Sequence, residues 1–182
     1  IPDVAHVGNP VIYMTTDAGQ RIPPHLKPIK TAALVAKNTS RPYSCEVWSV
    51  EGLEFQIEIG CIVRGGWDNY LASPIFITAK ETISPLQFPR EDAEVLMALA
   101  KKGLPCTVVP MPISGASCPI TPASNVAMAA AEILGVFAAL RSYEPNARVV
   151  GGVITGVMDM SGGNALFTEP LAILQDRMVS QL

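Results

Sequence analysis

Histidine, charge and paired cysteines are the scarce features of this sequence, and each scarcity disfavours a class of protein. Only 2 of the 182 residues are histidine, His6 and His25, which argues against a histidine-based metal site or a Ser-His-Asp triad within the chain. Charged residues make up 16% and the formal net charge is −3, so we expect no surface for nucleic acid or an anionic membrane. The four cysteines form no C-x-x-C pair and match no zinc or disulfide framework.

Long uninterrupted hydrophobic runs are also missing, although hydrophobic residues make up 49% of the chain. That share is typical of a domain with a large buried core and not of a disordered chain. The longest apolar stretch, Val126 to Leu140, contains Glu132 and is too short to cross a bilayer. No signal peptide is visible, and the first residue is Ile1 instead of methionine. We therefore expect a cytoplasmic protein of which this chain is a piece.

Short β-rich runs alternate with longer helical runs along the chain. The predicted strands are Val11 to Thr15, Tyr43 to Trp48, Pro74 to Thr78, Cys106 to Val109 and Arg148 to Ile154. The predicted helices are Pro24 to Asn38, Gly52 to Arg64, Pro89 to Lys102, Ala123 to Arg141 and Glu169 to Gln181. The second helix is ambiguous, because its apolar residues partly alternate as in a strand. No hairpin signal interrupts the order, so we expect one α/β domain over residues 1–182 with a parallel sheet and crossover helices.

Two architectures fit this order of elements, a doubly wound sheet and a (β/α)8 barrel. A complete barrel needs about 200 residues or more, so these units would form an incomplete central portion of one. In both architectures ligands bind beyond the carboxyl ends of the strands. The loops after the third, fourth and fifth strands are long for such connections, which is typical of functional loops. They cover Ala79 to Phe88, Pro110 to Pro122 and Thr155 to Thr168.

The second strand carries a candidate site for a cation. Side chains alternate along a strand, so Glu46 and Trp48 share one face, opposite the apolar face that suits the helices. A carboxylate beside an aromatic ring attracts a methylated ammonium. The alternative is that Glu46 lies at an exposed edge and Trp48 belongs to the core. Thr78, the last residue of the third strand, is placed at the same edge as a further candidate.

The loop Pro110 to Pro122 is dense in proline, small and hydroxyl residues, which fix its shape and offer hydrogen bonds. Its candidate binding residues are Met111, Ser114, Gly115, Ser117 and Thr121. A phosphate loop is the rival interpretation, but the G-x-x-x-x-G-K pattern is absent. Cys118 as a nucleophile lacks a base nearby in sequence.

The loop after the fifth strand contains one acidic residue, Asp159, which either binds substrate or braces the loop. Its glycines do not form G-x-G-x-x-G, so no dinucleotide fingerprint is present. The segment Trp67 to Tyr70 has the composition of an aromatic cage. However, it follows a helix, on the stability side of a barrel, and a surface loop is the preferred interpretation.

Three motifs taken in order resemble the trimethylamine methyltransferase family. They are ISPLQF (Ile83 to Phe88), PMPISGASCPIT (Pro110 to Thr121) and GGVITGVMDMSGGN (Gly151 to Asn164). The resemblance runs from about Val11 to the end and departs from the family pattern at Ser117 and Cys118, which leaves the substrate in doubt.

The resemblance implies a (β/α)8 barrel whose mouth binds a tertiary or quaternary methylated amine, of the trimethylamine or glycine betaine type. The methyl group would pass to the cobalt(I) of a corrinoid (cobalamin) supplied by a partner protein, with no metal bound by the chain itself. Some members of the family use pyrrolysine, at a position expected beyond Leu182. Under this hypothesis the Pro110–Pro122 and Thr155–Asn164 connections must share one mouth.

Two other functions stay open at this point. A non-catalytic amine-binding or assembly module on the same barrel would show the same lack of catalytic groups. An unrelated barrel lyase or aldolase would need an inward lysine, for which Lys80 is the near candidate. The apolar load also predicts self-association into a homo-oligomer, or cover from units that this chain lacks.

Overall fold

The computed structural model describes residues 14–15 and 21–181 of the chain. The strands are β1 (Met14–Thr15), β2 (Tyr43–Ser44), β3 (Phe76–Ile77), β4 (Ala79–Lys80), β5 (Pro105–Val108), β6 (Ile113–Ser114), β7 (Arg148–Gly151), β8 (Gly156–Asp159) and β9 (Asn164–Leu166). The helices are α1 (Lys27–Asn38), α2 (Val50–Arg64), α3 (Trp67–Ala72), α4 (Arg90–Lys101), α5 (Pro122–Tyr143) and α6 (Pro170–Val179). A 3-10 turn, Pro24–Leu26, leads into α1. His6 and most of the first predicted strand lie outside the described residues.

The strands pair in parallel in the order in which they occur along the chain, with one exception described below. β2 lies between β1 and β3, and β5 lies between β4 and β7. β6 and β8 continue the pairing of β5 and β7, because the amides of Gly152, Ile154 and Gly156 donate to carbonyls of the neighbouring strand segment at 2.9 to 3.1 Å. The predicted α/β fold with parallel strands is therefore confirmed. This sequential order has no reversal point, which a doubly wound sheet requires, and the described strands do not close into a barrel.

The exception is an antiparallel hairpin that the sequence analysis did not predict. β9 pairs with β8, with Asp159 opposite Asn164 and Val157 opposite Leu166. The turn between them ends on Gly163, whose φ of 69° lies in the left-handed region that glycine adopts at little cost. The expectation of an uninterrupted series of βα units was therefore wrong at the last loop.

Helix α2 confirms the helical interpretation of the ambiguous segment. Its first turn is capped by Ser49, whose Oγ accepts a hydrogen bond from the Gly52 amide at 3.1 Å, and it ends at Gly65 with φ of 76°. The segment that follows is helical and not a loop, because it forms the short helix α3, but Trp67, Asp68 and Asn69 lie at the surface as predicted. Tyr70 of α3 is buried against Gly60 of α2, where an added Cβ would lie 2.2 Å from the ring. This segment is a packing element of the fold.

Helix α5 is the longest element and is longer than the apolar stretch in the sequence suggested. By length and composition alone it could cross a bilayer, which corrects the expectation that this segment is too short. A helix that is apolar on all sides is either a membrane span or a core helix. Within the described residues α5 packs against α6 and β6, and Glu132 lies buried near its centre.

The core lies between the sheet and the helices and includes two of the cysteines. Leu96 and Val108 are fully buried there, as are the thiols of Cys45 and Cys106. Burial raises the pKa of Cys45 to about 12 and that of Cys106 to about 11. These thiols stay protonated at neutral pH, which fits a packing role and not a reactive one.

Candidate functional site

The carboxyl end of β2 presents the two residues that the sequence analysis placed on one face. The apolar set Tyr43, Cys45 and Val47 is buried, whereas Glu46 is exposed and Trp48 is 47% exposed. The predicted alternation of the side chains is therefore confirmed, and Trp48 does not belong to the core.

Glu46 and Trp48 line one small cavity with residues from the end of β4 and the start of α4. Its volume is about 190 Å³, and its lining includes Glu81 and Ala79. Sequence reasoning did not single out Glu81, because its only signal was its position directly after a predicted strand. Glu46, Trp48 and Glu81 thus line one cavity at the edge of the sheet where ligands bind in parallel α/β folds.

Lys80 and Asp92 also line this cavity, and Lys80 holds the strand ends together. Its Nζ is 2.7 Å from Oδ1 of Asp92, and it also donates to the carbonyl of Val47. The side chain is 7% exposed and its ammonium is paired with Asp92, which disfavours Lys80 as the Schiff-base lysine that the aldolase hypothesis needs. None of the ion pairs among the described residues involves Glu46 or Glu81. The cavity therefore carries an excess of negative charge.

The two long loops further along the chain meet at this same edge. β6 pairs in parallel with β8, with Ile113 opposite Gly156 and Ser114 opposite Val157. The backbone at Gly115 has φ of 85°, and a Cβ there would contact Met158 at 3.6 Å. The condition that these connections share one end of the sheet, on which the methyl-transfer hypothesis depends, is met.

Ser114 itself is engaged by the helices behind the sheet. The side chain is 1% exposed and accepts hydrogen bonds from Nδ2 of Asn125 at 2.8 Å and from Nε2 of Gln175 at 2.9 Å. Asn125 lies on α5 and Gln175 on α6, and both are fully buried. These two amides were missed in the sequence, because nothing local shows that they converge on Ser114. The contacts account for Ser114 as a structural residue, and its role in binding stays a prediction.

The remaining candidates are two hydroxyl residues with structural partners in this loop, one exposed residue of the loop, and Thr78 outside it. Oγ of Ser117 accepts from the Ile113 amide at 2.9 Å, and Oγ1 of Thr121 caps α5 by accepting from the Ser124 amide at 3.3 Å. The side chain of Met111 is exposed, and Thr78 is buried between β3 and β4.

Cys118, in the same loop, is buried, and burial raises the pKa of its thiol. A raised thiol pKa disfavours the thiolate that a nucleophilic cysteine needs.

Asp159 stands at the start of the β8–β9 turn and bonds to the turn itself. Its carboxylate accepts from the Ser161 amide at 2.9 Å, the Ser161 hydroxyl at 2.7 Å and the Gly162 amide at 3.1 Å. These hydrogen bonds hold the pKa of Asp159 below its ordinary value. Of the two roles open to Asp159, its contacts favour bracing the loop.

The described residues offer no group of three or more His, Cys, Asp or Glu side chains arranged to hold a metal ion. What the sheet edge does offer is a small cavity lined by Glu46, Glu81, the Lys80–Asp92 ion pair and the indole of Trp48, beside the two long loops. The fold and this edge define an α/β protein whose site suits a small cationic ligand.

The chain belongs to the trimethylamine methyltransferase family, whose model matches residues 4–182. It is 28% identical over 153 residues to trimethylamine methyltransferase MttB of Desulfitobacterium hafniense (strain DSM 10664 / DCB-2), covering 84% of this chain and 31% of that protein. It is 23% identical over 151 residues to a glycine betaine methyltransferase of Desulfitobacterium hafniense (strain Y51), covering 83% of this chain and 32% of that protein. The chain therefore spans about a third of the length of these relatives.

Proposed function

We propose that this chain supplies part of the substrate-binding mouth of a cytoplasmic methyltransferase that acts on a tertiary or quaternary methylated amine, of the trimethylamine or glycine betaine type. The methyl acceptor in this proposal is the cobalt(I) of a corrinoid held by a partner protein. The observation that carries the proposal is the cavity shared by Glu46, Trp48 and Glu81. The names of the two relatives point to the same class of substrate.

The chemistry of a methylated ammonium explains why these residue types suit it. A quaternary ammonium has no N–H to donate, so hydrogen-bonding groups cannot select it. A carboxylate within about 4 Å contributes roughly 1 kcal/mol in water and up to about 4 kcal/mol near a protein surface. An indole face adds about 0.5 to 2 kcal/mol. Lys80 also lines the cavity, but its ammonium is paired with Asp92, so the charges of Glu46 and Glu81 remain in excess there.

A quaternary substrate requires little acid–base catalysis by the protein. The amine leaves as a neutral group, so no general acid is required, and binding and orientation of the substrate are the main tasks. The corrinoid supplies the nucleophile when its partner protein is docked. The cavity of about 190 Å³ is smaller than the pockets that hold drug-sized ligands and does not admit a corrinoid ring. We therefore assign the described residues to the amine alone.

We further propose that the sequential parallel sheet is the central portion of a (β/α)8 barrel. The order of the strands supports this, as does the share of the relatives' length that the chain covers. Val150 and Ile154 of the last parallel strand region are exposed apolar residues. Further βα units or a second copy of the protein would cover them, in line with a homo-oligomer.

The test measures binding and transfer separately in the wild type and two tryptophan variants. We expect Trp48→Ala to raise the Kd for tetramethylammonium by about 2- to 30-fold in calorimetry, because it removes the aromatic face. Trp67→Ala is the matched control, since Trp67 is 38% exposed but lies on α3, away from the cavity. The full-length wild-type protein should also transfer methyl groups from trimethylamine or glycine betaine to cob(I)alamin.

Each outcome has a distinct meaning for the proposal. Binding without methyl transfer supports a non-catalytic amine-binding module. An equal loss of affinity in Trp48→Ala and Trp67→Ala would place the ligand elsewhere than this cavity. No binding and no turnover with any methylated amine would end the proposal.

A further inference from the structure

Glu132 is a buried carboxylate near the centre of the otherwise apolar helix α5. It is 4% exposed and accepts hydrogen bonds from Oγ1 of Thr82, from Oγ of Ser84 at 2.9 Å and from the amide of Leu86 at 2.9 Å. None of the ion pairs found in the described part of the chain includes Glu132. A carboxylate buried among neutral donors is costly unless its hydrogen bonds are complete. The donors all come from one loop, so the helix and this loop are joined through a single side chain.

The loop that Glu132 holds connects β4 to α4 and has a tight shape of its own. The Ile83 amide donates to the Gln87 carbonyl at 2.9 Å, and the Gln87 amide donates to the Ile83 carbonyl at 3.0 Å. Between them Leu86 has φ of 57°, a left-handed conformation that a residue with a side chain adopts only when its surroundings impose it. The hydrogen bond from the Leu86 amide to Glu132 is one such constraint.

The same loop begins at the candidate site. Glu81 lines the cavity with Glu46 and Trp48, and the next residue, Thr82, is both buried and hydrogen-bonded to Glu132. A fixed Thr82 limits where the backbone of Glu81 can lie. The carboxylate of Glu132 therefore determines, from behind the sheet edge, the position of one wall of the cavity.

We infer that Glu132 is a positioning residue for methylated-ammonium binding, acting through the 81–88 loop and not by contact with the ligand. This inference rests on the proposed function. If Glu132 acts by positioning the loop, its negative charge is not needed for ligand binding. A neutral side chain that keeps the hydrogen bonds to the loop should then serve as well. Glutamine meets that requirement, because its oxygen accepts from the Leu86 amide and its nitrogen donates to a hydroxyl that turns to accept.

The experiment compares Glu132→Ala and Glu132→Gln with a destabilised control variant, Ile133→Ala. Ile133 is a buried residue of the same helix that packs against other elements than the 81–88 loop. We expect Glu132→Ala to raise the Kd for tetramethylammonium roughly tenfold, as misplacement of a binding group does. Glu132→Gln should stay within about twofold of wild type, because it restores the donors and acceptors. Ile133→Ala should lower the melting temperature without changing the Kd.

Amide hydrogen exchange supplies a readout that needs no ligand. Glu132→Ala should speed exchange in residues 82–88 far more than in β5, whereas Ile133→Ala should not single out the loop. An unchanged Kd in Glu132→Ala, or a Glu132→Gln as weak as Glu132→Ala, overturns the inference while the proposed function stands. If wild-type protein binds no methylated ammonium, the proposed function fails. Loop exchange then decides whether Glu132 positions the loop, and unchanged exchange would reject that as well.

Discussion

Two regions at the carboxyl edge of the sheet use their polar residues in opposite ways. At the ends of β2 and β4, Glu46, Trp48 and Glu81 line a cavity, and neither glutamate takes part in an ion pair among the described residues. At the end of β6, by contrast, Ser114 is enclosed by the amides of Asn125 and Gln175. Sequence patterns placed both regions among the candidates, but the structure gives their side chains different surroundings.

The difference shows how a polar residue beside a mouth can be assigned. A hydroxyl whose hydrogen bonds are all made to its own helices has little left to offer a ligand. An exposed carboxylate without a cationic partner, beside an indole, still has its full attraction for a cation. The β2–β4 region is therefore the better candidate for substrate, and the β6–β8 region shapes the edge around it.

The largest expected effect comes from breaking the ion pair under the β2–β4 region. Lys80→Met leaves the partly buried Asp92 and the Val47 carbonyl without their donor, so we expect about 3 kcal/mol lower free energy of unfolding in urea. Adding Asp92→Leu to the same variant should recover part of that loss. Lys30→Met, which changes an exposed lysine on α1, is the control and should change little. A Lys80→Met protein as stable as wild type would contradict the buried-pair interpretation.

A smaller loss of stability is expected when the hydrogen bonds to Ser114 on β6 are removed. Ser114→Ala removes the acceptor of two buried amides, and we expect about 2 kcal/mol lower free energy of unfolding. Asn125 keeps its second acceptor, the Pro112 carbonyl at 3.2 Å, which limits the loss. The control is Ser142→Ala, which changes an exposed serine on α5, the helix that carries Asn125. Its free energy of unfolding should stay within about 0.5 kcal/mol of wild type.

Ligand affinity of the same variant decides between the two regions. With Ser114→Ala the Kd for tetramethylammonium should change by less than about twofold, because the hydroxyl is already committed to the helices. A large rise in Kd with little loss of stability would show that Ser114 binds the ligand. The β6–β8 region would then be a better candidate for the substrate site than the β2–β4 region.

The order of the elements could be predicted from sequence because local signals marked them. Gly65 and Gly66 ended α2, and the acidic first turn and Lys101 bounded α4. The lengths of the strands could not be predicted in the same way. The predicted strand at Tyr43 extends to Trp48, but the hydrogen-bonded ladder ends at Ser44, because pairing depends on the neighbouring strand and not on the strand's own sequence.

The candidate site was predictable only where alternation or loop composition carried it. Glu46 and Trp48 followed from a period of two along one strand, and Glu81 did not. Glu132 was seen only as an interruption of an apolar stretch, since its partners lie 46 to 50 residues away. Asn125 and Gln175 were missed for the same reason: a buried hydrogen-bond network is set by packing of elements distant in sequence.

The smallest expected effect concerns the β8–β9 hairpin, and it depends on pH. Hydrogen bonds from Ser161 and Gly162 hold the pKa of Asp159 below the value it has in the unfolded chain. The stabilisation is thus complete at neutral pH and is lost as the pH falls through the lowered, folded pKa. Exchange of the Ser161 and Gly162 amides should accelerate over that acidic range in wild type, after correction for intrinsic rates. Asp159→Asn should flatten this dependence, because an asparagine does not titrate. If tetramethylammonium instead protected these amides against exchange, Asp159 would belong to the ligand site, and the bracing role assigned from its contacts would be incomplete.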